Sequence, residues 1–102
     1  MSPQTGKGEG ASPTITFSSF VIGLATQALM FLGAAPSPTG SEIEKDPAEA
    51  ATIIGVIEML ADKTRGNLSE DEAKLVEEVL FELRMRYVGE TRRGAAKEES
   101  NE

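Results

Sequence analysis

The sequence predicts an all-α protein: a small three-helix fold with disordered termini that forms a helical homo-oligomer. Three observations lead there. Two segments carry apolar residues at the i, i+3, i+4 spacing of a helix face, each introduced by a capping signature. A third segment lies in a stretch with no charged residue between Glu9 and Glu42, and it is apolar enough that something must cover it. No segment alternates apolar and polar residues in the manner of a strand.

The first helix is expected from Ser18 or Ser19 to Leu32, with Gly33 as its stop. A connector follows from Ala34 to Glu42, and its Pro36 and Pro38 cannot sit inside a helix. Asp46-Pro47-Ala48-Glu49 announces the second helix. Asp46 serves as N-cap, Pro47 suits the first helical position, and Glu49 stands three residues after the cap. Its stripe is Ala50, Ile53, Ile54, Ile57, Leu60 and Ala61. Lys63 and Arg65 suit the negative end of the helix dipole, and Gly66 can stop the helix. Ser69-Glu70-Asp71-Glu72 opens the third helix as a capping box, with Leu68 placed as a hydrophobic staple. The third stripe is Leu75, Val76, Val79, Leu80, Leu83 and Tyr87. Composition then sets the organisation: residues 1–15 as a disordered Gly/Pro/Ser-rich tail, 16–88 as the three-helix domain, and 89–102 as a disordered charged tail.

Composition also excludes function classes. The chain has 102 residues, a net charge of -7 and neither Cys nor His. Without Cys there is no disulfide, thiolate metal site or thiol nucleophile. Without His the commonest metal ligand and the usual base near neutral pH are gone. The acidic balance opposes binding to phosphate backbones and to anionic lipid. Arg84, Arg86, Arg92 and Arg93 form a small basic cluster mixed with Glu82 and Glu90, which reads as a solvated helix end. The N-terminus is too polar and Gly-rich for a signal peptide, so the expected location is cytoplasmic.

Site motifs fare no better. Counted from Asp62 as a calcium loop, the link between helices two and three puts Gly66 at the fifth position and Ala73 at the twelfth, where a bidentate Glu is needed. Glu70, Asp71, Glu77, Glu78 and Glu82 are explained by capping and solvation, and no phosphate-loop or nucleophile-elbow motif occurs. No catalytic, cofactor-binding or metal residue is assigned, and the expectation is a protein without enzymatic activity.

The uncharged first helix therefore dominates the functional reading. Phe17, Phe20, Val21, Leu24, Ala25, Ala28, Phe31 and Leu32 form one broad arc suited to packing on the other two helices. The far side is not polar either: Ile22, Leu29 and Met30 lie there with Thr26 among small or uncharged residues. Burying those three apolar side chains would stabilise by about 1.5–3 kcal/mol each. On the second helix Ala51 and Gly55, four apart, would let another helix approach, and Val56 and Met59 extend a secondary strip. The candidate interface is thus Ile22, Thr26, Leu29, Met30, Ala51 and Gly55. The expected partner is a second copy or another protein, with the role of an adaptor or assembly component. The alternative is a membrane-associated protein anchored by the same helix. Ile15 to Ala35 is about the 20 residues a span needs, yet Ser18, Ser19, Thr26 and Gln27 interrupt it and no Lys/Arg cluster flanks it.

The order of motifs carries one resemblance. Phe17, Phe20, Leu24-Ala25, Gln27-Ala28, Leu32-Gly33 and Pro38-Thr39-Gly40 are followed by Ile57-Glu58-Met59-Leu60. Lys63-Thr64-Arg65-Gly66-Asn67-Leu68-Ser69 comes next, then Glu72, Leu80 and Leu83-Arg84. Together these resemble the bacterial family known as domain of unknown function 1844, across about Phe17 to Tyr87. The resemblance implies a short helical bacterial protein, with no activity, cofactor or functional residue to carry over. Caps and turns account for Gly66, Asn67 and Ser69 in its most specific stretch. Lys63, Thr64 and Arg65 are left as the candidate partner loop.

Overall fold

The computed structural model of the protein describes residues 14–35 and 44–100. It contains α1 (Phe17–Phe31), α2 (Pro47–Lys63) and α3 (Glu70–Ser100), each in contact with both others, and no strand among the described residues. Residues 1–13 of the expected N-terminal tail, and Pro36 and Pro38 of the connector, lie outside the described residues.

Each helix begins where a side chain satisfies its free amides. At α1, Thr16 Oγ1 accepts from the Ser19 amide at 2.9 Å while Ser19 Oγ accepts from the Thr16 amide at 3.0 Å. The sequence reading missed this cap and started the helix one or two residues late. Asp46 accepts from the Glu49 amide at α2, and at α3 Ser69 and Glu72 exchange bonds of 3.1 and 2.9 Å. The end of α1 is equally well defined. Gly33 has φ 76°, its amide donates to the Met30 carbonyl, and the Ala34 amide donates to the Leu29 carbonyl. That is a Schellman turn, which satisfies carbonyls the helix would leave free.

The stripes converge as their spacing requires. Val21, Ala25 and Ala28 of α1 meet Ile53, Ile54 and Ile57 of α2 and Val76, Leu80 and Leu83 of α3. Phe17, Leu24, Leu29, Phe31, Ala61, Leu68, Val79 and Tyr87 pack around this cluster. Leu68, just before the α3 cap, is among them. Phe20 is the exception within the α1 arc: it stands 49% exposed, because it lies at the edge of the arc where the bundle leaves it uncovered.

The helix α3 also corrects the expected C-terminal boundary. The sequence reading ended the ordered domain at 88 and took 89–102 for a disordered tail, but α3 continues to Ser100. Gly89 and Gly94 each cost about 1 kcal/mol of helix propensity. Good helix formers surround them, and Glu90 pairs with Arg93 one turn on, at 2.7 Å.

Glu90 also ties α3 to the rest of the fold. Lys45, just before α2, lays its stem across Gly33 and places Nζ 3.0 Å from the Glu90 carboxylate. A Cβ at Gly33 would run into Lys45 Cε, so its left-handed φ favours glycine and any larger residue would displace the Lys45 stem. The Glu90 side chain is only 12% exposed. Hydrogen bonds from Arg93 and then Lys45 hold its carboxyl below the usual glutamate value of 4.5, against the opposing push of burial. A carboxyl lowered in the folded state contributes stability that is fully present above its unfolded value and is lost as pH falls through the folded one.

Two predictions follow from this corner of the fold. Gly33→Ala is expected to lower the urea midpoint more than Gly66→Ala. Both positions lose about 1–2 kcal/mol for a left-handed L-residue, but only Gly33 has Lys45 lying over it, while Gly66 faces open space. Equal losses would mean the Lys45 stem gives way freely. Thermal melts of the parent chain and Glu90→Gln should differ most at neutral pH and converge below pH 4.5. A difference that persists unchanged to pH 3 would remove the ion pair from the argument.

Candidate association surface

The uncharged first helix supplies the strongest surface feature. Its exposed residues are Ser19, Phe20, Ile22, Gly23, Thr26 and Gln27, and none bears a charge. Ile22 is 49% exposed, as is Phe20. A Cβ at Gly23 would meet nothing within 4 Å, so the surface there is low and open. The Thr26 hydroxyl donates to the Ile22 carbonyl at 2.9 Å, which satisfies it within the helix. That hydroxyl therefore needs no polar partner.

The other expected interface residues divide. Leu29 is half-buried against the core and Met30 is buried. Both belong to the last turn of α1, where the Ala34 amide bonds to the Leu29 carbonyl and the Asp46 amide to the Phe31 carbonyl, bringing the chain back over that end. Ala51 is half-buried and Gly55 exposed on α2, with open space around Gly55. Val56 is half-buried and Met59 is 48% exposed.

The Lys63–Arg65 loop is occupied with ending α2. The Thr64 amide and hydroxyl both donate to the Leu60 carbonyl, at 3.0 and 2.7 Å. Arg65 pairs with Asp62 at 2.8 Å on an exposed surface. Lys63 is exposed and makes no ion pair among the described residues. Caps and turns therefore explain more of this stretch than the sequence reading allowed, with Lys63 the residue they leave over.

Sequence reasoning missed a second apolar face. Phe81, Met85 and Val88 on α3 are 65%, 58% and 44% exposed. Their spacing is i, i+4, i+7, and at about 100° per residue they lie opposite Leu83 and to one side of Leu80. The signal was present in the sequence as a second helical stripe, hidden because the core stripe had already explained the helix. Beside it, Leu32, Gly33, Ala34, Lys45, Met85 and Gly89 line a shallow groove of about 260 Å³.

Among the described residues no group of three or more Asp or Glu side chains could hold a metal ion, and no charged side chain is fully buried. No helix among the described residues is long and apolar enough to cross a membrane. The 15 residues of α1 reach about 22 Å, short of a hydrocarbon core of about 30 Å.

Among known proteins, no curated protein and no solved structure matches the chain. A family model does, the one described as Domain of unknown function (DUF1844), over residues 14–90. That match takes in all of α1 and α2, and α3 as far as Glu90, the residue that Lys45 ties to the bundle. The chain belongs to the DUF1844 family.

Proposed function

We propose that the protein is a non-enzymatic assembly component that associates with copies of itself through the outer face of α1. The observation that carries this reading is the composition of that face: every exposed residue of α1 is uncharged, and Phe20 and Ile22 stand half out of the fold. In a chain with a net charge of -7, a whole helix face free of charge removes both the desolvation cost and the repulsion that would oppose contact. Gly23 allows a second helix to come close. The ionisable groups support the non-enzymatic reading. Glu72 and Asp46 cap helices, and Glu58, Glu82 and Glu90 pair with arginines, which are structural tasks. With neither His nor Cys, the chain lacks the side chains that most often act near neutral pH. A cytoplasmic setting belongs to the same proposal.

Light scattering on a sizing column, over a range of concentrations and without detergent, tests it. The expected result is a mass that is a multiple of 10.8 kDa. Phe20→Glu combined with Ile22→Glu should lower that mass while leaving the helical circular dichroism unchanged. A monomer at every concentration would overturn self-association, and an unchanged mass in the double variant would overturn α1 as its surface.

A further inference from the structure

The outer face of α3 carries a pattern that the α1 reading does not use. Its apolar residues Phe81, Met85 and Val88 occupy the middle of a strip. On the N-terminal side of that strip stand Glu77 and Glu78, with Lys74 one turn before them, and on the C-terminal side stands Arg92, all exposed. Some neighbouring charges on this helix are engaged, whereas Lys74, Glu70 and Asp71 make no ion pair among the described residues. Arg84 pairs with Glu58 of α2 at 2.7 Å, Arg86 pairs with Glu82, and Arg93 pairs with Glu90. Glu77, Glu78 and Arg92 make no ion pair among the described residues.

Such a strip is complementary to itself in one direction only. Laid against a second copy in parallel, it would set acids against acids and Arg92 against Arg92. Reversed about a point at Met85, it sets Glu78 opposite Arg92, and Phe81 beside Val88 and Gly89. Met85 then meets its own counterpart. Gly89 has no side chain, and a Cβ there would touch only the Arg93 tip at 3.9 Å, so the surface is low where Phe81 of the second copy arrives. Like charges facing each other oppose association by about as much as opposite charges favour it. The charge order therefore selects the antiparallel pairing.

We propose that α3 pairs antiparallel with α3 of a second copy, about a two-fold axis at Met85, with Phe81 and Val88 packed around it and Glu77 and Glu78 facing Arg92. This is an isologous contact, so one variant changes both halves of it. It rests on the reading that the chain self-associates but assigns a different face from α1, so each face answers to its own variants.

The test uses charge reversal in the full chain, followed by sedimentation equilibrium at low salt. Glu78→Arg and Arg92→Glu should each raise the dimer dissociation constant by about tenfold, and the two combined should restore it. All these positions are exposed, so folding is not at issue. The direction of pairing has its own readout, because the chain has no native Cys. Under mild oxidation, Glu78→Cys chains mixed with Arg92→Cys chains should form a cross-linked pair, and Glu78→Cys alone should not. Self-linking of Glu78→Cys would establish a parallel contact and overturn the proposal. Failure of the double reversal to restore the dimer would overturn it too. If instead Phe20→Glu with Ile22→Glu dissociates the protein while both single reversals leave it intact, the α1 reading stands and the α3 pairing falls. Loss of the mixed cross-link with a monomer at all concentrations removes both.

Discussion

Val21, Ile57 and Leu83 come one from each helix, and they are the largest side chains that the fold buries completely. They belong to one cluster, and removing any of them would leave a cavity shared by all three helices. For a chain this small the constraint is severe, since a domain with fewer than about 80 ordered residues has little core to lose. Everything else in the structure is arranged so that these three positions coincide. The caps set where each helix begins, the turns at Gly33 and Gly66 set where two of them end, and the stripes bring the right face inward.

The periphery of the bundle is held by ionic links. Arg84 joins α3 to Glu58 of α2, and Lys45 joins the start of α2 to Glu90 of α3. Exposed pairs of this kind are individually weak. The Lys45–Glu90 link differs because the Glu90 side chain is mostly covered and Arg93 grips it from the other side. It also depends on a backbone event some distance away in sequence, the left-handed turn at Gly33 that clears a path for the Lys45 stem.

Much of this was legible in the sequence, for a physical reason. Ala50, Ile53, Ile54 and Ile57 repeat at helical spacing, and a helix has only one way to bury such a stripe; Asp46-Pro47 and Ser69-Glu72 state their caps locally. What escaped depends on tertiary placement. Phe20 looks like a core residue on a helical wheel, yet the two neighbouring helices do not reach it. Met30 looks like an outward residue, yet it lies where the chain turns back. Glycines at 89 and 94 argue locally for a helix end, and they are outweighed by flanking helix formers and by a tether from Lys45. Phe81, Met85 and Val88 were overlooked for a different reason: a helix can carry two stripes, and a reading satisfied by one does not search for another.

The unequal helix lengths have a consequence for motion. The 31 residues of α3 extend about 46 Å, whereas α2 with 17 extends about 26 Å. Tyr87 is the last residue of α3 packed on the core, and Glu90 carries its last ion pair to another part of the fold among the described residues. From Thr91 to Gly94 the described side chains make no core packing and no ion pair to another helix, so backbone hydrogen bonds are what hold that turn, much as in an isolated peptide. Such a turn opens by fraying and lets its amide protons exchange through a few local bonds, whereas amides at buried positions such as Leu80 and Leu83 are expected to need opening of the bundle. A single helix thus spans two kinetic regimes, and the boundary between them falls where Lys45 holds on.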